Sequence, residues 1–124
     1  MRAYFKNSLV FLFTATLLFA FSFTALAEGE TVTPEEAQAL IKENKDIIVL
    51  DVRNPNERVV AHYEGSINIP VKELEERYGE LPAGKPILIH CAKGVRAERA
   101  YNLLQEKRPD LTNVKYIKGA PIFE

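Results

Sequence analysis

Two continuous apolar runs constrain this chain more than any other feature: Ile47-Ile48-Val49-Leu50, leading into Asp51-Val52, and Pro86-Ile87-Leu88-Ile89-His90. Neither alternates apolar with polar residues, and both are rich in β-branched side chains. Each therefore reads as a strand covered on both faces, which places it inside a mostly parallel sheet. Helical segments separate the runs. Thr33-Pro34-Glu35-Glu36 is a capping box with proline at the first helical position, and Ala37, Leu40 and Ile41 follow at helical spacing, so a helix is predicted from Pro34 to Glu43. Asn54-Pro55-Asn56-Glu57 repeats the arrangement and predicts a second helix to about Ala61. Gly65-Ser66 turns the chain into a short strand, Ile67-Asn68-Ile69, stopped by Pro70. Val71 to Tyr78 reads as a third helix with Leu74 inward, and Arg96 to Lys107 as a fourth whose stripe is Ala97, Ala100, Leu103 and Leu104. Arg108-Pro109 ends it, and Val114-Lys115-Tyr116-Ile117 offers a last strand. Strands alternating with helices give an α/β fold: an open, mostly parallel sheet with helices on both faces.

The amino end follows other rules. Ser8 to Ala27 carry no charged side chain, Arg2 and Lys6 precede them, and Ala25-Leu26-Ala27 supplies a small-x-small cleavage sequence. This pattern predicts a signal peptide over residues 1–27, cut after Ala27, and a single domain over 28–124 that is periplasmic or secreted. The alternative is an uncleaved leader serving as a membrane anchor, since 20 uncharged residues can just span a bilayer. Without the leader the domain holds 14 basic against 17 acidic side chains and no basic block. Such a balance excludes nucleic acid as a partner, because nothing would drive counterion release. It also leaves the leader as the only membrane contact.

Export gives the cysteine count its meaning. Small exported domains use cysteines in pairs, yet Cys91 is the only one in the chain. It is either an inert buried thiol or a reactive one, and its neighbours decide. Cys91-Ala92-Lys93-Gly94-Val95-Arg96 joins the end of a buried strand to a helix, the edge at which open α/β sheets bind ligands. If the loop curls around the sulfur, the N–H groups of Ala92 through Arg96 can point inward, and the helix amino end adds positive partial charge. Lys93 and Arg96 bring cations, which favour the thiolate, and Gly94 permits a left-handed turn. Asp51 and Arg53, at the carboxyl end of the neighbouring strand, read as braces for this loop or as a structural ion pair. His90 and His62 are left outside the reactive set, because an ionised thiolate needs no general base.

The loop 91–96, with Asp51-Val52-Arg53, Pro55, Glu57, His62 and Gly65-Ser66-Ile67-Asn68-Ile69-Pro70, resembles the rhodanese family of sulfurtransferases, in particular its small exported single-domain members. The resemblance runs from about Thr31 to Gly119. Ala61 and Ser66 depart from the Gly and Ala usual in the family, and the segment 119–124 stops short of the usual last helix, which would leave one sheet face less covered. The resemblance implies a single rhodanese-like domain in which the Cys91 thiolate takes the outer sulfur of thiosulfate, or of another sulfane-sulfur donor, as a persulfide. Cyanide or a thiol acceptor, small or protein, would then remove it. Ala92, Lys93, Gly94, Val95 and Arg96 would hold the substrate, Asp51 and Arg53 would support the loop, and neither a metal nor an organic cofactor is implied.

Three other readings compete. A cysteine phosphatase or arsenate reductase also places a Cys before Gly and Arg, but with five residues between Cys and Arg, where only four stand here. A non-catalytic rhodanese-like binding module commonly lacks the cysteine. A thioredoxin-like oxidoreductase needs a second Cys that this chain does not have.

Overall fold

The computed structural model describes residues 30–124. The predicted leader lies outside them, as do its cleavage and any anchoring role. Among the described residues no helix is long and apolar enough to cross a membrane.

Among the described residues strands and helices alternate, all but β1 as the sequence predicts: β1 (Thr31–Val32), α1 (Pro34–Glu43), β2 (Ile48–Asp51), α2 (Pro55–Arg58), β3 (Ile67–Asn68), α3 (Leu74–Arg77), β4 (Ile87–His90), α4 (Val95–Lys107) and β5 (Val114–Ile117). All the paired strands are parallel, in the order β1-β5-β4-β2-β3. The two apolar runs lie side by side in the middle, with Val49 opposite Leu88, Leu50 opposite Ile89 and Asp51 opposite His90. From β2 the chain moves outward to β3, and from β4 it moves the other way to β5. The carboxyl ends of β2 and β4 therefore flank the point where the winding reverses, the place where such sheets open a crevice.

Period-two alternation divides the core between the two faces of the sheet. Leu50, Ile87 and Ile89 pack with Ala97, Ala100 and Leu104 of α4 and with Leu74 of α3. Val49 and Leu88 pack on the other face with Ala37, Leu40 and Ile41 of α1. The α1 capping box is formed: Glu36 N–H donates to Thr33 Oγ1 at 3.1 Å, and Thr33 N–H donates to Glu36 Oε1 at 2.9 Å.

Three expectations need correction. The second helix ends at Arg58 rather than about Ala61. Val59 and Val60, which would extend it, are exposed, and β-branched residues with no face to bury do not sustain a helix. The third helix is broken into a 3-10 turn at Val71–Glu73, α3, and a second 3-10 turn at Tyr78–Glu80, since only Leu74 of the segment is buried deeply enough to hold it. The last is β1, unforeseen because two residues make no pattern; it exists through its pairing with β5, Thr31 opposite Tyr116 and Val32 opposite Ile117. The face expected to lack cover is partly closed by Tyr63 and by Phe123 from the segment after β5.

Candidate active site

Cys91 follows directly on β4 and is almost wholly buried, 1% exposed. The chain turns sharply after it, Gly94 taking a left-handed φ of 108° immediately before α4. That conformation is strained for any residue with a Cβ. Space is tight as well: a Cβ at Gly94 would stand 3.0 Å from Gly119 N and 3.4 Å from the Ile117 carbonyl, so these neighbours would have to give by a few tenths of an ångström. The turn directs backbone donors at the sulfur, with Gly94 N–H donating to Cys91 Sγ at 3.0 Å and Ala97 N–H at 3.3 Å. The second donor lies one residue beyond the stretch expected from the sequence, in the first turn of α4. Both donors thus face the sulfur, the second from the amino end of a 13-residue helix.

The sulfur is not sealed in hydrocarbon. It forms part of the wall of a cavity of about 190 Å³, together with Ala92, Lys93, Val95 and Arg96. Lys93 and Val95 are exposed at its mouth, while Ala92 and Arg96 are half-buried. A larger cavity of about 340 Å³ lies against α1, lined by Leu40, Glu36 and Lys115 among others, and Cys91 is not on its wall. No group of three or more His, Cys, Asp or Glu among the described residues is placed to hold a metal ion.

Arg96 does not stand free over the cavity. Its guanidinium makes two bonds to Glu57 of α2, Nη1 to Oε1 at 2.8 Å and Nη2 to Oε2 at 3.0 Å. Those bonds, followed by the Asn54 N–H, hold the Glu57 carboxyl down at about 2. From the sequence, Glu57 reads as a helix cap and as part of the family motif, with no link to Arg96. Its 39-residue distance from Arg96 hides the second role, which ties α2 to the start of α4.

Asp51 and Arg53 brace each other. Arg53 donates to Asp51 through Nε at 2.9 Å, Nη2 at 2.8 Å and its backbone N–H at 3.0 Å, and Nη2 also reaches the Ala61 carbonyl at 2.8 Å. Burial alone would raise the Asp51 carboxyl, but the Arg53 side chain and backbone outweigh it and hold it below the usual carboxylate range. The pair thus fixes the chain after β2, and the 91–96 loop is fixed by Glu57 instead. Asn68 and Ser66, named from the sequence only as part of the 65–70 motif, and Arg58, missed there, complete this network. Asn68 Nδ2 donates to the Asp51 and Arg53 carbonyls, both at 2.9 Å. Arg58 donates to Ser66 Oγ at 2.7 Å, so the Ser66 departure supplies an acceptor as well as packing.

His90 is fully buried beside Asp51, with Nε2 3.9 Å from Oδ2, and neither ring nitrogen has a hydrogen-bond partner. Burial pushes its pKa down to about 4, so the ring is neutral near pH 7. His62 Nδ1 lies 3.1 Å from the Arg58 carbonyl.

The chain is similar to known proteins in sequence and fold. Residues 33–120 match the Rhodanese-like domain family. The uncharacterized protein YqhL of Bacillus subtilis is 33% identical over 90 residues, 73% of this chain and 68% of that protein. The crystal structure of a rhodanese-related protein from Thermoplasma volcanium superposes with a TM-score of 0.64 at 30% identity, covering 73% of this chain and 85% of that one. The probable adenylyltransferase/sulfurtransferase MoeZ of Mycobacterium tuberculosis is 27% identical over 95 residues, 75% of this chain but only 24% of its own length. With the fold, the order of its motifs and nearly all the described chain in agreement, this protein belongs to the rhodanese-like domain family.

Proposed function

We propose that the chain is a sulfurtransferase that carries sulfane sulfur on Cys91, from thiosulfate or a similar donor to a thiol or cyanide. The observation that carries this reading is the pair of N–H donors aimed at Cys91 Sγ beside an open cavity. The thiolate attacks the outer sulfur of thiosulfate; a new S–S bond forms, the donor's own S–S bond breaks, and sulfite leaves with the electron pair. The persulfide anion then occupies the cavity next to the loop N–H groups and Lys93. An acceptor thiolate or cyanide takes the terminal sulfur, and Cys91 returns as thiolate. No proton has to move in the chemical steps, in keeping with two histidines that stand clear of the sulfur.

A phosphatase reading asks Arg96 to grip a tetrahedral anion, and here its guanidinium is committed to Glu57. A binding module would have no use for a cysteine held by two backbone donors. The charge-free stretch Ser8 to Ala27, preceded by Arg2 and Lys6, supports work outside the cytoplasm, with Glu28 as the mature amino terminus. Sequencing the amino end of the exported protein tests that point.

Intact mass after incubation with thiosulfate tests the activity. The expected result is the gain of one sulfur atom, lost again with cyanide and absent in Cys91→Ala. Hydrolysis of an aryl phosphate with no sulfur adduct would replace this reading with the phosphatase.

A further inference from the structure

After β5 the chain does not leave the domain. Gly119, at φ 126°, turns it back over Pro34, and the following residues lie against the α1 face of the sheet. Ile122 N–H donates to Tyr63 Oη at 3.2 Å, and Gln38 Nε2 donates to the Glu124 carbonyl at 3.0 Å. Between these two bonds the Phe123 ring packs edge-on to Tyr63 at 4.9 Å and to His90 at 5.6 Å, with the Arg53 guanidinium 4.9 Å from its centroid. The segment thus closes over the buried side chains at the ends of β2 and β4.

The same segment begins at the back of the sulfur site. Gly94, whose N–H faces Cys91 Sγ, lies near Ile117, Lys118 and Gly119, where an added methyl group would stand 3.0 Å from Gly119 N and oblige it to give by a few tenths of an ångström. The Lys118–Gly119 backbone is itself held from two directions, by β1 through the Lys118 N–H to the Val32 carbonyl at 2.9 Å, and by the anchored residues that follow it. Released from the second hold, the Lys118–Gly119 backbone can shift beside Gly94, whose N–H donates to the sulfur.

We propose that residues 119–124 form a strap supporting the sulfur cradle from behind, with Phe123 as a positioning residue that acts on Cys91 without touching the reacting atoms. The proposal rests on the reading of Cys91 as a nucleophile, and alkylation reports nucleophilicity with no sulfur donor present. A failure of sulfur transfer and a failure of the strap are therefore separate results.

The test measures the rate of Cys91 alkylation by iodoacetamide at neutral pH, followed by intact mass, alongside thermal unfolding and the NMR titration of the His90 ring. Phe123→Ala is expected to slow alkylation about tenfold, the worth of one hydrogen bond to an anion, and to let water reach His90 so that its ring titrates nearer the ordinary histidine range. Phe123→Tyr keeps the ring and is expected to restore both. Gly94→Ala, which forces a methyl group into the same contact, sets the loss that a displaced cradle produces. Tyr63→Phe deletes only the hydrogen bond from Ile122 and is expected to fall between wild type and Phe123→Ala; it carries the test if the alanine variant does not fold. A Phe123→Ala protein that melts earlier but alkylates at the wild-type rate would reduce the strap to a stability element and overturn the proposal. A wild type resistant to alkylation would overturn it together with the nucleophile reading.

Discussion

His90 and Cys91 are consecutive at the end of the same strand, and the sheet treats them in opposite ways. Alternation sends Cys91 to the α4 face, where a glycine turn and a helix amino end bring two N–H donors to its sulfur and a cavity beside it. His90 goes to the α1 face, where Tyr63 and Phe123 stack against it, 5.1 and 5.6 Å away, and leave both ring nitrogens without a partner. One face turns its backbone N–H groups toward a sulfur. The other buries side-chain charge in an aromatic enclosure. A polar group at the end of a buried strand is thus not made functional by position alone; what matters is whether the next element supplies donors and an opening. On this view the α4 face is measured in chemistry and the α1 face in stability.

The largest effect expected from that contrast belongs to Asp51→Ala. It leaves the Arg53 guanidinium buried without its carboxylate, a loss of about 3–5 kcal/mol. Cys91→Ser, where a hydroxyl can still accept from Gly94 and Ala97, is expected to cost less than about 1 kcal/mol while ending all sulfur transfer. Urea unfolding of the two variants compares them directly. A loss under about 1 kcal/mol for Asp51→Ala would mean the pair behaves like a surface ion pair, and the contrast between the faces would fail.

His90 sharpens the contrast through pH. Its pKa is held at about 4 in the folded chain, against an ordinary 6.5. Between those values the unfolded chain binds more protons, so stability falls as pH drops from 6.5 to 4 and the contribution of this group levels off below. The size is on the order of 3 kcal/mol. Glu57 acts lower: its stabilisation is complete above its ordinary 4.5 and is lost as pH falls toward about 2. Unfolding midpoints measured across both ranges should therefore show two separate declines, and His90→Leu should remove only the upper one. If that decline persists in His90→Leu, the burial of the histidine is not its cause.

The unequal legibility of the two faces has a physical origin. The strands β2 and β4 are readable because residues covered on both sides must all be apolar, and the cradle because Cys91, Gly94 and Arg96 fall within one turn of chain. The boundaries of β1 and α2 are not, since they depend on pairing with β5 and on the exposure of Val59 and Val60. The partner of Arg96 and the anchor on His90 are equally hidden. Glu57 stands 39 residues from Arg96, and Phe123 reaches His90 only after the whole sheet has formed. Local sequence encodes the cysteine and its turn; the charges and rings that steady them are tertiary.

The smallest effect expected lies at the mouth of the cavity. Arg96 gives its charge to Glu57, whereas Lys93 is exposed and lines the entrance to Cys91. An incoming dianion therefore meets Lys93 before it meets the sulfur. Its pull is long-range and acts through water, so it is screened beyond ~10 Å at 0.1 M salt. Lys93→Glu should lower kcat/KM for thiosulfate about tenfold at low ionic strength, and the ratio to wild type should shrink as salt is added. Alkylation by uncharged iodoacetamide serves as the control, because it depends on the cradle and not on attraction from a distance. A deficit in both reactions that does not change with salt would place Lys93 inside the cradle, as a group acting on the sulfur itself, and would extend the reactive part of the α4 face out to the surface.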